Sequence, residues 1–260
     1  MYPLKYHKPA ALADAIAALG AGEEAKVLAG GQTLLATMKQ HLAAPTDLVD
    51  IRGLSLSGIS AAGGDVTVGA TTTHAEVAAS GEVHPAVAVL AAGIGDPLVR
   101  NMGTIGGSIA NNDPAADYPA AVLGMGATVV TNTREIAADD YFGGLFTTAL
   151  EEGEIITAVR FPNVERAGYA KFKQPASRFC LVGVFVAKTA DGARVAVTGA
   201  GEDGVFRHEG LEAALSANWS PEAVEAVTVS PDGLMSDIHG DAEYRANLIK
   251  VMARRAVAVS

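Results

Sequence analysis

The chain has 260 residues, of which 49% are hydrophobic, 29 are glycine and one is cysteine. This length allows one large domain or two small ones, with a core that needs no disulfide. One cysteine is too few for a cysteine-rich zinc site or an iron–sulfur cluster. The net charge of −10 argues against nucleic acid and anionic membranes as partners. No apolar run is long enough to span a bilayer and the N-terminus lacks a secretory signal pattern, so we expect a cytoplasmic protein with no intrinsic membrane segment.

The first fifty residues alternate between helical and extended patterns. The spacing of apolar residues predicts a helix over residues 10–19 with Gly20 as its cap, a strand over 26–29, a helix over 34–42 and a strand over 47–51. The pair Gly30-Gly31 forms the turn between the first strand and the second helix. This alternation predicts a small α/β unit with parallel strands.

The next segment contains one clear helix start and one irregular stretch. A strand is predicted over residues 65–70, and Thr73 with Glu76 has the spacing of a capping box that begins a helix. A further helix is predicted over residues 84–94. Between Gly103 and Pro119 the composition changes to Gly, Asn, Asp, Ser and Pro, which predicts a loop without regular structure.

The second half of the chain is dominated by extended patterns. Strands are predicted over residues 127–131 and 154–161, a hairpin over 181–198 with Asp191-Gly192 as its turn, and a helix over 242–259. Pro162-Asn163, followed by a polar run, is the candidate domain boundary. The remainder is therefore expected to form an antiparallel sheet with a packed helix.

Two glycine-rich segments are candidates for ligand binding. Residues 29–34 follow a strand and open a helix, so their backbone amides can cradle an anion, although two glycines can equally form a simple tight turn. Residues 103–113 combine small residues with several hydrogen-bonding side chains, which favours a ligand over a solvated loop. Asp117 could accept from a ribose hydroxyl, but taken alone it is also typical of a surface carboxylate.

Other motifs carry less weight. Residues 199–204 match G-x-G-x-x-G, but Glu202 and Asp203 would repel a diphosphate, so we interpret the segment as a turn. The six histidines show no metal-ligand spacing and are expected at the surface or at helix caps, so we predict no metal site. Cys180 opens an apolar strand and is expected to be buried. Lys173 lies in a locally basic stretch that could stabilise negative charge or form a solvated edge strand.

Several of these motifs occur together in one order. The segments are residues 29–33, 69–74, 104–107, 111–117, 173–178 and 236–245. Over nearly the whole chain they closely resemble the flavin-binding medium subunit of molybdenum hydroxylases, the family of carbon monoxide dehydrogenase and xanthine dehydrogenase-type enzymes. One departure is the pair Gln32-Thr33, where many relatives carry His-Ser.

The resemblance implies an α+β chain with a non-Rossmann FAD-binding fold. This fold, of the p-cresol methylhydroxylase (PCMH)/vanillyl-alcohol oxidase type, would occupy residues 1–162 as two subdomains, about 1–53 and 54–162, followed by a C-terminal domain of antiparallel strands and helices over 163–260. The implied cofactor-binding residues are Leu28, Ala29, Gly30, Gly31, Gln32, Thr33, Leu34, Gly103, Thr104, Gly106, Gly107, Ser108, Asn111, Asn112, Asp117, Ile155, Ile156 and Lys173. The two glycine loops would hold the diphosphate. Asn111, Asn112 and Asp117 would contact the adenosine or ribityl region, and Ile155, Ile156 and Lys173 would contact the flavin end.

The resemblance also implies a function as an electron relay. A large partner subunit would carry the molybdenum cofactor, and a small partner subunit would carry the [2Fe-2S] clusters. The complex would be a dimer of heterotrimers. This chain would pass electrons through FAD to an external acceptor, which requires no acid–base pair, and the catalytic residues stay unassigned. The alternatives are a stand-alone FAD-dependent oxidoreductase of the same fold and a non-catalytic module that lost the cofactor. The intact glycine loops disfavour the latter.

Overall fold

The computed structural model describes all 260 residues and contains eleven helices and fourteen strands. The helices are α1 (Leu12–Ala21), α2 (Leu34–Lys39), α3 (His74–Ala79), α4 (Pro85–Ala92), α5 (Pro97–Arg100), α6 (Ile105–Asn111), α7 (Tyr118–Met125), α8 (Ala138–Tyr141), α9 (Glu209–Ala217), α10 (Pro221–Glu225) and α11 (Ala242–Ala258). The strands are β1 (Lys5–His7), β2 (Ala25–Leu28), β3 (Asp47–Asp50), β4 (Ile59–Ala62), β5 (Asp65–Gly69), β6 (Thr128–Thr131), β7 (Glu135–Ala137), β8 (Phe142–Gly144), β9 (Thr147–Thr148), β10 (Ile156–Phe161), β11 (Arg166–Lys173), β12 (Cys180–Thr189), β13 (Gly192–Gly201) and β14 (Gly204–Arg207).

The N-terminal unit is a three-stranded parallel sheet with the order β1-β3-β2. Its parallel pairing confirms the alternation of helix and strand that the sequence predicts. The first helix extends past the expected cap at Gly20, and it ends at Gly22 in extended backbone. A Cβ atom at Gly22 would lie 2.9 Å from Oδ2 of Asp47, so the chain turns where only glycine fits against β3.

A five-stranded antiparallel sheet forms the second unit, with the order β4-β5-β10-β6-β7. The helices α6 and α7 pack against β10, and α3 packs against α4. The predicted capping box is present, because Thr73 Oγ1 accepts from the backbone N–H of Glu76 and the Glu76 carboxylate accepts from the backbone N–H of Thr73. This sheet places the start of α6 and the end of β5 side by side.

The C-terminal part is an antiparallel meander of β11 to β14. The predicted hairpin is confirmed by the pairing of Thr189 with Gly192. The G-x-G-x-x-G segment contains the end of β13 and the start of β14, and only Glu202 and Asp203 form the turn between them. One face of the meander contacts α7, and the other packs against α9 and α11. The sequence pattern did not predict α9 or α10.

The prediction that residues 103–119 lack regular structure is wrong. The helix α6 occupies Ile105–Asn111, and α7 begins at Tyr118. Thr104 caps α6, and a Cβ atom at Gly106 would lie 2.7 Å from Cβ and from the carbonyl oxygen of Ala70. The glycines that predicted a loop therefore let a helix approach β5 closely, because packing outweighs intrinsic helix propensity.

One hydrophobic core spans both halves of the chain. The largest cluster joins residues of the five-stranded sheet and α7 to Tyr169, Phe185 and Ala196 of the meander. All eight residues of α7 are buried between the two. A second cluster fills the space between the meander and α11. The predicted boundary at residues 162–163 falls between β10 and β11, and α7 fixes the two parts against each other.

Candidate cofactor-binding site

The first glycine loop, residues 29–33, connects β2 to α2. A Cβ atom at Gly30 would lie 2.1 Å from the carbonyl oxygen of Met102, so only glycine allows the second glycine-rich segment to approach. Gly31 has a φ angle of +70°, a left-handed conformation that other residues adopt at a cost. Gly30 is therefore required for the close approach of the two segments, and Gly31 for the conformation of the backbone.

The backbone amides of this loop are free to bind a ligand. The N–H groups of residues 30–34 donate no hydrogen bond within the chain, and they stand at the start of α2. Because α2 has only six residues, its dipole is small, and the amide groups themselves provide the attraction for an anion. The first amides of any helix lack an acceptor within the helix, and here they face a space into which a diphosphate would fit.

The second glycine loop, at residues 103–108, is built differently. The backbone N–H groups of Gly106 and Ile105 donate to the carbonyl oxygens of Ala70 and Thr72, and the N–H of Gly107 donates to Thr104 Oγ1. Most of its amides are therefore already satisfied within the chain. Its small residues instead bring the backbone of α6 close to the first loop, since a Cβ atom at Gly107 would be 3.6 Å from that of Ala29.

His74 supports the second loop from behind. Its backbone N–H donates to the carbonyl oxygen of Gly103, and a Cβ atom at Gly103 would lie 2.5 Å from its Nε2. Its ring lies 5.3 Å from that of Tyr118, and both His74 Nδ1 and the Tyr118 hydroxyl are buried without a hydrogen-bond partner. Burial and the charge of Arg100 lower the pKa of His74 to about 4. The expectation of a surface or capping histidine is wrong at this position.

Asp117 is buried rather than exposed, and its side chain faces a cluster of polar groups from β11. Lys171 Nζ lies 2.8 Å from Asp117 Oδ1, and the Tyr169 hydroxyl donates to the same oxygen at 2.6 Å. Burial raises the pKa of the Asp117 carboxyl, although Lys171 and these hydrogen bonds oppose the increase. Burial and the neighbouring carboxylate raise the pKa of Tyr169 well above its usual value. The sequence gives no sign of this contact between distant segments.

These segments surround a cavity of about 770 Å³. About half of its lining residues are hydrophobic, and the volume falls within the range of small-molecule and cofactor sites. Sixteen of the eighteen predicted site residues line it. They are Leu28, Ala29, Gly30, Gly31, Gln32, Thr33, Leu34, Gly103, Thr104, Gly106, Gly107, Ser108, Asn111, Asp117, Ile155 and Ile156.

The other two predicted residues lie outside the cavity lining. Asn112 has a left-handed backbone with φ of 44°, and its side-chain amide donates to the carbonyl oxygens of Gly144 and Thr147 at 2.8 Å each. It therefore fastens the β8–β9 hairpin to the end of α6. Lys173 is exposed at the end of β11, and the buried lysine of this strand is Lys171.

Several lining residues were not predicted. Ser177, Arg178 and Phe179 reach the cavity from the segment between β11 and β12, and Phe146 reaches it from the β8–β9 turn. The side chain of Phe179 is 57% exposed although it lines the cavity. An aromatic residue placed next to a basic segment was the available sequence signal, but only the fold places it in the same cavity as the first glycine loop.

No group of three or more histidine, cysteine, aspartate or glutamate side chains is arranged to hold a metal ion. No helix has both the length and the apolar character needed to cross a bilayer. Cys180 is buried as expected, 3.8 Å from the Tyr169 hydroxyl, and burial raises the pKa of its thiol.

Comparison with known proteins identifies the family. Residues 2–164 match the family described as the FAD binding domain in molybdopterin dehydrogenase. The chain belongs to this family. It is 36% identical to the carbon monoxide dehydrogenase medium chain of Afipia carboxidovorans, over 97% of this chain and 94% of that one. It is 35% identical to the nicotine 6-hydroxylase medium subunit of Paenarthrobacter nicotinovorans, over 98% and 96%.

The likeness extends to solved structures. Reconstituted carbon monoxide dehydrogenase from Oligotropha carboxidovorans contains a chain that matches with a TM-score of 0.91 and 34% identity, covering 99% of this chain and 98% of that one. The predicted family and α+β fold are confirmed. The protein is an FAD-binding, medium-subunit member of the molybdenum hydroxylases, and its relatives are oxidoreductase subunits.

The residues of the cavity fit FAD. Unpaired amides of the first glycine loop suit the diphosphate, and the close approach of two backbones leaves no room for side chains there. The apolar walls suit the rings of the cofactor. The lining of this single cavity therefore combines unpaired backbone amides with apolar side chains, which FAD requires.

Proposed function

We propose that this chain is the electron-transfer subunit of a molybdenum hydroxylase complex. It binds FAD in the 770 Å³ cavity, receives electrons from iron–sulfur clusters of a partner subunit and passes them to an external acceptor. The observation that carries the proposal is the cluster of unpaired amides at residues 30–34, which opens into this cavity beside the second glycine loop. The family membership supports the same assignment.

The sixteen lining residues predicted from the sequence contact different parts of the cofactor. Amides of the first loop hold the diphosphate, while Thr104 and Ser108 place the second loop across it. Asn111 and Asp117 orient the adenosine or ribityl groups, and the backbone at Ile155 and Ile156 contacts the flavin end. Lys173 would contact the flavin end only if its exposed side chain moved into the cavity.

Bound FAD supplies redox chemistry that accepts electrons one at a time and releases them in pairs. The chain contributes binding, orientation and exclusion of water, and it needs no general acid or base of its own. We propose that the FAD-binding domain ends at residue 162 and the C-terminal domain begins at residue 163. The C-terminal domain closes one side of the cavity through Ser177, Arg178 and Phe179.

The partners follow from the relatives. Carbon monoxide dehydrogenase and nicotine 6-hydroxylase have medium subunits of this type, which implies other subunits. We propose a large subunit with the molybdenum cofactor and a small one with [2Fe-2S] clusters, assembled as a dimer of heterotrimers. The chain itself holds one buried cysteine, so the clusters belong to a partner.

The first test compares the wild-type full chain with a Gly30→Ala variant. The new methyl group would meet the Met102 carbonyl at 2.1 Å, so we expect the variant to fold but lose at least tenfold in FAD affinity, about 1.4 kcal/mol. Gly53→Ala is the matched control, because a Cβ atom there meets nothing within 4 Å. Titration calorimetry with FAD measures both. A wild-type chain that does not bind FAD, or equal affinity of the two variants, would refute the cavity assignment.

The second test separates a relay subunit from a stand-alone oxidoreductase. The native complex is purified through this chain, and its absorption spectrum is compared with that of the isolated chain. A relay predicts flavin bands in both samples, with iron–sulfur bands and molybdenum only in the complex. Reduction of the flavin in the isolated chain by an organic substrate would contradict the relay and support the stand-alone enzyme.

A further inference from the structure

One wall of the cofactor cavity belongs to a short segment of the C-terminal part. Residues 174–179, here called the mouth segment, connect β11 to β12. Ser177, Arg178 and Phe179 of this segment line the cavity together with Gly95 and Asp117 from the FAD-binding part. The position of the mouth segment therefore sets how widely the cavity opens on this side.

The mouth segment is held to the rest of the chain by few contacts. Two backbone hydrogen bonds close it internally, from Arg178 N–H to the Gln174 carbonyl and from Gln174 N–H to the Phe179 carbonyl, each 2.9 Å long. A third internal hydrogen bond runs from the Phe179 N–H to Ser177 Oγ at 3.3 Å. Two more hydrogen bonds leave it, and both involve Arg178. Its guanidinium donates to the Gly95 carbonyl at 3.2 Å, and its own carbonyl accepts from Lys171 Nζ at 3.3 Å.

Arg178 adopts a left-handed backbone conformation that needs stabilising contacts. Its φ angle is +63°, in the left-handed region, which costs a residue with a side chain more than it costs glycine. Without the contacts at its carbonyl and guanidinium, the backbone would relax toward the ordinary right-handed or extended regions. Such a change would move Arg178 and the neighbouring Phe179 away from the cavity wall.

Lys171 is itself firmly anchored on the opposite side. Its Nζ lies 2.8 Å from Asp117 Oδ1 and 3.1 Å from Oδ2, and the two side chains are only 8% and 6% exposed. The Tyr169 hydroxyl donates to Asp117 Oδ1 at 2.6 Å and fixes the carboxylate in place. The lysine therefore joins a rigid buried acceptor in the FAD-binding part to the carbonyl of the strained mouth residue.

We propose that Lys171 is a positioning residue that retains the cofactor, because it holds Asp117 and the mouth segment together across the two parts of the chain. The inference rests on the proposed function, since it requires FAD in this cavity. Loss of the ammonium group releases the Arg178 carbonyl, and the mouth segment opens. The consequence is faster release of FAD and easier access of solutes to bound flavin.

The test uses the full chain with Lys171→Met, Lys171→Arg and a control, Lys188→Met. Lys188 lies on the neighbouring strand β12 and pairs with Glu165 at the surface. We expect Lys171→Met to release FAD about tenfold faster, equivalent to about 1.4 kcal/mol, whereas Lys188→Met behaves as wild type. Lys171→Arg keeps a donor near both acceptors and should restore most of the retention.

Three readouts distinguish positioning from a general loss of structure. The FAD release rate is followed by flavin fluorescence after dilution, and access to bound flavin by iodide quenching. The third readout is the affinity for ADP, which contains the diphosphate but no flavin ring. We expect Lys171→Met to raise the release rate and the quenching while changing ADP affinity much less. An equal loss of ADP affinity, or unchanged FAD release, would overturn the proposal.

A second variant guards against misfolding. Removal of Lys171 leaves the buried carboxylate of Asp117 unpaired, which destabilises the fold. The double variant Lys171→Met/Asp117→Asn removes this charge, and Asp117→Asn alone keeps the link from Lys171 to Arg178. We expect faster FAD release in the double variant than in Asp117→Asn; equal rates would contradict the role of Lys171. If the wild-type chain binds ADP but not FAD, the proposed function fails, independently of Lys171.

Discussion

The buried histidine behind the second glycine loop makes stability depend on pH in a calculable way. His74 is 5% exposed, and its pKa is lowered from 6.5 to about 4 by burial and by the charge of Arg100. Between these two values the unfolded chain binds a proton that the folded chain does not. The stability is therefore complete above pH 6.5 and decreases as the pH falls toward the folded-state pKa.

The magnitude follows from the width of this window. Each pH unit inside it changes the free energy of unfolding by about 1.4 kcal/mol, so His74 accounts for about 3 kcal/mol in all and for about 2 kcal/mol between about pH 7.5 and about pH 5. Urea unfolding at these two pH values measures the loss. In His74→Gln the side chain cannot titrate, so the loss should be smaller than that of wild type by this amount.

A matched control removes a different histidine. His239 is exposed in the turn before α11, so His239→Gln should show the same loss of stability between the two pH values as wild type. If wild type and His74→Gln lose stability in parallel as the pH is lowered, His74 does not titrate as a buried neutral group. The packing of its ring against Gly103 would then need another explanation.

Three further outcomes are expected from buried groups. Tyr118→Phe removes a hydroxyl that is fully buried and unpaired, so thermal unfolding should show equal or higher stability; a loss above about 1 kcal/mol would reveal a partner for the hydroxyl. Arg245 is 2% exposed and donates to the Leu181 and Gly199 carbonyls, so Arg245→Met should lose about 3 kcal/mol in urea unfolding. Arg255→Met, at an exposed position on the same helix, should lose almost nothing. The buried thiol of Cys180, whose pKa is raised, should react with a thiol reagent only after unfolding, and rapid labelling of the native chain would contradict its burial.

Local patterns were sufficient where neighbouring residues decide the structure. The strand–turn–helix around Gly30-Gly31, the capping box at Thr73 and the Asp191-Gly192 hairpin all depend on interactions within a few residues. The capping box was predictable because its two side chains satisfy the backbone groups at the start of the helix, and the two turns because glycine permits backbone conformations that other residues adopt at a cost. The family resemblance then provided the order of these pieces and most of the residues that line the cavity.

Prediction was unsuccessful where distant segments decide the structure. The glycines and polar residues near Gly106 predicted a loop. They form the helix α6 instead, because the glycines let this segment pack closely against Ala70. Burial of His74 against Tyr118, and pairing of Lys171 with Asp117, join residues separated by about forty to fifty positions. No local pattern distinguishes Lys171 from Lys173, because residues two positions apart share a strand face. The two lysines differ because the register of β11 against β12 shifts between Phe172 and Lys173, which leaves Lys171 buried and Lys173 exposed.

The two glycine loops also explain how an acidic chain can hold an anionic cofactor. The net charge is −10, and the first loop contains no cationic side chain, but the N–H groups of residues 30–34 are unpaired and point to no acceptor in the chain. Attraction through the backbone depends on conformation rather than on side-chain identity. Gly30 and Gly31 permit that conformation, so the sequence requirement lies in these two glycines rather than in the side chains of Gln32 and Thr33.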